Sequence, residues 1–220
     1  MDAAGPTGFD RTRATRDRLH RACSCGTLVG VRRRVLVSAS LAPVALIGGW
    51  SLAASRQPAG YDAVRETISA LAAHGATDRW VMTSGLAVLG ICHLVTASGL
   101  DEAGPSGRAL LALGGAATVL VSALPQPATG HAAAASVGFG ALAVWPAAAG
   151  VPGRTSSRVA SAALLALVGW LVVELRGGNL LGLSERAVAG AEAIWPLVVA
   201  VILARHGRGT QRPASNGSSS

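Results

Sequence analysis

A carboxyl group and an imidazole interrupt the apolar stretches of this sequence at positions where they could perform acid–base chemistry. Glu192 lies inside the run GAEAIWPLVVAVIL, and His131 begins the run HAAAASVGFGALAVWP. Because each side chain can take up or release a proton, Glu192 and His131 are the candidate catalytic residues. Pro196 has no backbone N–H to donate to the carbonyl of Glu192, so a second acceptor stays open beside the carboxyl group. The competing interpretation, which we favour, is a buried acid satisfied by an arginine or a hydroxyl of a neighbouring helix.

A charge-balanced segment, YDAVRETISALAAHGATDRW, lies between two of the apolar runs. Val64, Ile68 and Leu71 recur at helical spacing, which predicts a short amphipathic helix with Asp62 as its N-cap. We expect this helix to lie along the outer rim of a helical bundle, as a lid over an outward-facing polar pocket. The competing interpretation is that these residues form ordinary loop salt bridges or extend their charged ends to the membrane surface. The predicted ligand-binding residues of the pocket are Asp62, Arg65, Glu66, Ser69, His131, Glu174, Arg186 and Glu192.

Metal and cofactor chemistry finds little support in the sequence. Cys23 and Cys25 supply two ligands where structural zinc takes four, and adjacent Cys92 and His93 project about 100° apart on a helix. We therefore expect no metal and no cofactor. His93 is expected past the middle of its span, hydrogen-bonded across helices, and at a different depth from His131, which argues against a hydrolase that needs clustered histidines. Walker, GxSxG, HExxH and dinucleotide-binding signatures are absent from the sequence.

Six apolar runs, nearly free of charge and each about 20 residues long, are the elements that must position these groups. Helices that are apolar on all sides suit a bilayer better than water. The sequence therefore predicts an all-α integral membrane bundle of six transmembrane helices, with the short amphipathic outer helix between spans one and two. The predicted spans are 35–54, 80–100, 109–124, 131–150, 159–175 and 186–204.

The distribution of basic residues predicts the orientation of the bundle. All 19 basic residues are arginine, and assigning both termini to the cytoplasm places 14 of them inside and five outside, as the positive-inside rule requires. Because the arginines flank apolar segments and no aromatic-basic surface accompanies them, we expect no nucleic-acid partner. The expected domains are a disordered basic cytoplasmic tail (1–33), a six-helix transmembrane domain (34–205) and a disordered cytoplasmic tail (206–220).

Three blocks of the sequence resemble a family of bacterial membrane proteins known as domain of unknown function 998. The blocks are RQPAGYDAVRETISALAAHGATDRWVMTSGLAVLGICHL, GHAAAASVGFGALAVWP and GLSERAVAGAEAIWP. The resemblance covers about residues 35–205 and is carried by Thr67-Ile68-Ser69, His131, Glu185-Arg186 and Trp195-Pro196. It implies a six-helix protein of the bacterial cytoplasmic (inner) membrane, and it implies no activity.

Three functions are compatible with these features. The first is a non-enzymatic membrane protein, an envelope-accessory or binding protein that recognises a lipid or small amphiphile. The alternatives are a membrane-embedded enzyme that acts on a lipid or isoprenoid by acid–base chemistry, and a small transporter. Glu192 and His131 within hydrogen-bond reach would favour the enzyme, and a water-filled path through the bundle would favour transport. The partners expected are the bilayer, a bound lipid or amphiphile, and a second copy if Ala132, Ser136 and Gly140 form an intermolecular seam rather than an internal one.

Overall fold

The computed structural model describes residues 33–209 of the 220-residue chain. Within that range the protein is all helical and contains no strand. A single 3-10 turn, Asp101–Ala103, joins the third and fourth helices. Of the predicted disordered tails, Arg33 and residues 206–209 are helical, and the remaining residues, 1–32 and 210–220, lie outside the described range. The helices are α1 (Arg33–Ser55), α2 (Ile68–Leu71), α3 (Trp80–Gly99), α4 (Gly104–Ala123), α5 (His131–Ala149), α6 (Arg154–Glu174) and α7 (Leu181–Gly209).

Six of these helices are long and apolar enough to cross a membrane. Their candidate spans contain 19 to 26 residues, and at 1.5 Å per residue such helices match a hydrocarbon core about 30 Å thick. Less than half of each span is buried inside the protein, so the remaining apolar surface faces outward, as it does in a protein whose solvent is lipid. The predicted six-helix membrane bundle is confirmed.

Four helices, α1, α4, α6 and α7, begin earlier than predicted because arginines lie within them. Sequence reasoning placed arginines at or just before the starts of spans, yet Arg108, Arg158 and Arg186 lie inside α4, α6 and α7. Arg108 shows why this is tolerated. Its guanidinium donates 2.9 Å hydrogen bonds to the carbonyls of Ala97 and Ser98 at the end of α3. A long arginine side chain can lie inside a helix when its guanidinium reaches carbonyl acceptors at the end of a neighbouring helix.

Helices α3 and α4 meet along a face of small residues. A Cβ added to Gly90 would lie 2.6 Å from the carbonyl oxygen of Gly115, and one added to Gly115 would lie 2.8 Å from that of Gly90. Only glycine allows the two backbones to approach this closely. In lipid, where no hydrophobic force drives helices together, such close packing stabilises their association. The packing seam predicted from Ala132, Ser136 and Gly140 of α5 is not a close helix–helix contact of this kind. Ala132 and Ser136 are exposed, and a Cβ on Gly140 would meet nothing within 4 Å.

The connectors 56–79, 124–130 and 175–180 meet at one end of the bundle, which we call the distal end. Six alternating spans place these connectors opposite the chain termini. The amide of His74 donates to the carbonyl of Gln126 at 3.3 Å, and the amide of Leu183 donates to the carbonyl of Val64 at 3.0 Å. The first connector therefore contacts both the second connector and the start of α7.

Residues 61–71 form the cap segment, which differs in detail from the predicted amphipathic helix. Asp62 caps a turn, where its Oδ1 accepts from the amide of Val64 at 2.9 Å. The helix itself is the single turn of α2, and its N-cap is Thr67, whose Oγ1 accepts from the amide of Ala70 at 3.0 Å. Ile68 and Leu71 are buried as expected, but Val64 is exposed. Residues 63–66 stay outside the helix, which leaves their carbonyls free to bond α7.

Candidate functional site

A cavity lies inside the bundle between the cap segment and helices α1, α3, α4, α5 and α7. Its volume, the space open to the centre of a water-sized sphere, is about 60 Å³. A single water requires about 10–15 Å³ by the same measure, so the cavity has room for a few waters or a small polar group. Its walls are mainly apolar, with Leu46, Leu89 and Phe139 among them. The polar residues that line it are Ser69, His93, Thr118, Glu185 and Glu192.

Two of these polar side chains have unpaired atoms. Glu192 is 1% exposed and His93 is fully buried. Neither ring nitrogen of His93 nor Oε1 of Glu192 has a hydrogen-bond partner among the described residues. The prediction that His93 is hydrogen-bonded across helices is therefore wrong. Buried polar groups are nearly always paired, and each unpaired one costs about 1–3 kcal/mol, so these atoms mark the place where a polar ligand would be favoured.

Glu192 and His93 lie at similar depths. Because α7 begins at Leu181, Glu192 is about 16 Å from the distal start of its helix at 1.5 Å per residue, and His93 is about 20 Å from the start of α3. Sequence reasoning began the last span at Arg186 and so placed Glu192 too close to the surface. The longer helix brings the carboxyl group into the middle of the bundle, beside the cavity wall that His93 forms.

The distal wall of the cavity is closed by a hydrogen-bonded contact between α7 and the cap segment. Glu185 accepts from the hydroxyl of Ser69 at 2.9 Å and from the backbone N–H of Ile68. Ser69 was predicted as a site residue, whereas Glu185 was not. The seven-residue spacing of Glu185 and Glu192 was the available signal, since it places both carboxyl groups on one face of α7.

Arg186 fixes the outer surface of the same contact. Its Nη1 donates to the carbonyls of Ala63 and Glu66, both at 2.7 Å, and to that of Gly182 at 2.9 Å. Its Nη2 donates to the hydroxyl of Tyr61 at 2.6 Å. Burial raises the pKa of Tyr61 above its ordinary value of 10.0, although the Arg186 guanidinium opposes this shift. The predicted site residue Arg186 therefore holds the cap segment in place and does not line the cavity.

Close packing of the backbone completes this contact. A Cβ added to Gly182 would lie 2.6 Å from the carbonyl oxygen of Ala63 and would also collide with that of Glu66. Only a glycine at this position lets the first turn of α7 approach the cap segment closely enough for Arg186 to reach both carbonyls. We call the whole contact, made by Gly182, Glu185 and Arg186 with the cap segment, the latch.

Three predicted site residues form an exposed network on the cap segment. Arg65 Nε lies 3.5 Å from Asp62 Oδ2, and the Arg65 side chain is 68% exposed. Glu66 Oε1 accepts from the amide of Asp62 at 3.2 Å. None of the three lines the cavity. Their charges are satisfied by each other and by solvent, as expected for an exposed loop.

His131 and Glu174 each form hydrogen bonds that close a connector at the distal end. His131 donates from Nδ1 to the carbonyl of Leu124 at 2.6 Å, which closes the connector before α5. Glu174 accepts from Nε1 of Trp170 at 3.1 Å and from the amide of Leu180 at 2.9 Å, which closes the connector after α6. Neither lines the cavity, so the structure does not bring His131 together with Glu192 there.

The cavity reaches the protein surface on one side. Of its lining residues, only Ala135, Phe139 and Ala189 are half-buried, and the others are buried. All three lie on α5 or α7, so the opening, which we call the portal, lies between these two helices. At about 6–12 Å from the distal starts of α5 and α7, the portal lies within the candidate membrane spans of both helices.

No group of three or more histidine, cysteine, aspartate or glutamate side chains that could hold a metal ion occurs in the part of the chain that the structure describes. The two carboxyl groups and the imidazole that line the cavity can form hydrogen bonds and exchange protons. A small polar group is the ligand that these residues could hold.

The fold and the apolar spans define a multi-pass membrane protein with a mainly apolar cavity between its helices, into which a few polar side chains project. A model of the family described as protein of unknown function (DUF998) matches residues 22–202. Because the match covers most of the chain, the protein belongs to this family, as the resemblance of its three sequence blocks implied. No curated protein and no solved structure matches it.

Proposed function

We propose that this protein is a non-enzymatic receptor for an amphiphile, which it takes from the surrounding bilayer. The observation that carries the proposal is the cavity itself. It combines unpaired polar atoms of Glu192 and His93 in its interior with a portal between α5 and α7 that faces hydrocarbon. A polar head inside and an apolar chain in the portal would satisfy both environments. Ligand sites are commonly apolar clefts with a few convergent polar groups.

The orientation of the receptor is part of the proposal. We place it in the bacterial cytoplasmic membrane with both termini in the cytoplasm, so that the distal end and the latch face outward. The arginine-rich N-terminal region supports this orientation, because positively charged flanks are retained on the cytoplasmic side. A cysteine at exposed Thr77 should then react with a membrane-impermeant thiol reagent in intact cells. Reaction only after the cells are opened would refute the orientation.

Transport and acid–base catalysis are less compatible with the geometry. Buried side chains, including Leu111, Trp145 and Val199, fill the half of the bundle on the other side of the cavity. These side chains occupy the space that a water-filled path across the membrane would need. The acid–base pair expected for an enzyme was Glu192 with His131, and His131 donates instead to the carbonyl of Leu124.

The portal provides the test. Replacing half-buried Ala135 with Phe narrows the portal, whereas Ala133→Phe adds the same side chain at an exposed position of α5 that does not line the cavity. Protein extracted with its native lipids and analysed by native mass spectrometry should carry a bound amphiphile in the wild type and in Ala133→Phe, but not in Ala135→Phe. Equal retention by the two variants, or no bound amphiphile in the wild type, would contradict the proposal.

A further inference from the structure

The charges around the cavity restrict the chemistry of its ligand. Two carboxyl groups line it, Glu185 and Glu192, together with the neutral polar side chains of Ser69, Thr118 and His93. Among residues 33–209 no arginine lines it, and the chain contains no lysine. An anionic head would therefore meet two acidic side chains without a compensating cation, which is unfavourable in a medium of low dielectric.

The arginine of the latch cannot supply that cation. Arg186 follows Glu185 in α7, but its Nη1 donates to three backbone carbonyls and its Nη2 donates to Tyr61. Turning the guanidinium toward the cavity would break all four hydrogen bonds and release the cap segment. Charge compensation inside the cavity must come from the ligand.

The unpaired atoms of the cavity are suited to a hydrogen-bond donor. Glu192 Oε1 is a carboxyl oxygen, and a neutral imidazole has one acceptor nitrogen. A primary ammonium group has three N–H donors and one positive charge, so it could pair with the carboxylate and also donate to His93. We infer that the ligand is a single-chain amphiphile whose head is a protonated primary amine. This inference rests on the proposed amphiphile-binding function and specifies its ligand.

Size supports the same class of ligand. The cavity volume of about 60 Å³ suits a head comparable to a few waters, and a sugar head would need more room. A trimethylammonium head carries the charge but has no N–H to donate to Glu192 or His93. The alkyl chain would leave past Phe139 through the portal, where it would stay in hydrocarbon.

The test uses four amphiphiles with the same alkyl chain and different heads. Dodecylamine, dodecyltrimethylammonium, dodecanol and dodecyl phosphate are added to the full chain in phosphatidylcholine nanodiscs, and bound ligand is counted by native mass spectrometry. Dodecylamine should bind most tightly. Glu192→Gln should weaken dodecylamine binding about tenfold or more, because it removes a charge-assisted hydrogen bond, and should weaken dodecanol binding less, because a hydroxyl carries no charge to pair with the carboxylate.

Two further variants keep the result interpretable. Glu66→Gln changes a carboxyl group outside the cavity, and it should bind all four probes like the wild type. His93→Leu removes the second acceptor and should also weaken dodecylamine binding, even if Glu192→Gln fails to fold. Equal binding of dodecylamine and dodecanol, or unchanged amine binding by both cavity variants, would overturn the amine inference and leave amphiphile binding standing. Failure of all four probes to bind the wild type would overturn both.

Discussion

Replacing Glu192 with Met should stabilise the protein while it abolishes amine binding. The Glu192 side chain is almost fully buried, and its Oε1 lacks a partner among the described residues. Such an atom costs the folded state about 1–3 kcal/mol, and an apolar side chain of similar length removes that cost. Methionine is flexible enough to occupy the same space without strain. We expect the free energy of unfolding to rise by about 1–3 kcal/mol.

Glu185→Met is the matched control and should have the opposite effect. Glu185 lies seven residues earlier on the same face of α7, but its carboxylate accepts from Ser69 and from the amide of Ile68. The substitution leaves two buried donors unpaired, so the free energy of unfolding should fall by about 2–4 kcal/mol.

The assay is unfolding of purified protein by a denaturing detergent, followed by tryptophan fluorescence without added amphiphile. Stability changes of opposite sign for the two variants would support the pairing described above. A loss of stability in Glu192→Met that equals the loss in Glu185→Met would refute the reasoning, because Glu192 would then be a structurally paired acid.

Three other predictions concern the latch and the cap segment. Arg186→Gln removes most of four hydrogen bonds and should lower the free energy of unfolding by about 2–4 kcal/mol. Arg65→Ala loses only an exposed ion pair and should lower it by less than about 1 kcal/mol. Unfolding in a denaturing detergent measures both variants. Gly182→Ala introduces a clash with two carbonyls and should increase amide hydrogen exchange across the cap segment, whereas Gly75→Ala, where a Cβ would meet nothing within 4 Å, should not. Tyr61 is the single tyrosine, so an absorbance titration reads it directly and should give a pKa above 10.0 that falls on unfolding. Because the folded-state pKa is raised, the stability gained from the protonated phenol is complete below pH 10.0 and is lost as the pH rises through the folded value.

The number of helices could be read from the sequence because bilayer thickness determines the length of each apolar run. The ends of the helices were harder to predict, because an arginine can lie at a membrane surface or donate to nearby carbonyls. Arg108 and Arg186 do the latter, and local sequence does not reveal where acceptors on another element will lie. The error at Arg186 also displaced Glu192 from its true depth.

The site was predicted in part for a related reason. Glu192 could be identified because an acid in an apolar span is costly wherever it points. The position of His93 along its helix gave its approximate depth, but its partners depend on how α3 is rotated against its neighbours, which only the packed bundle shows. His131 and Glu174 have the same residue types as cavity groups, yet each forms hydrogen bonds that close a connector at the distal end, so residue type and depth together were insufficient.

The latch and the cavity share residues, and this determines how the distal end can respond to a ligand. Ile68 and Ser69 line the cavity and are held there by Glu185, whose carboxylate lines the same cavity. An ammonium group inside the cavity would attract the Glu185 carboxylate as well as that of Glu192, in competition with the two donors of the cap segment. Arg186 and Gly182 hold the backbone of the same segment independently of Glu185. A ligand that draws Glu185 inward would therefore loosen α2 while residues 61–66 stay attached to α7.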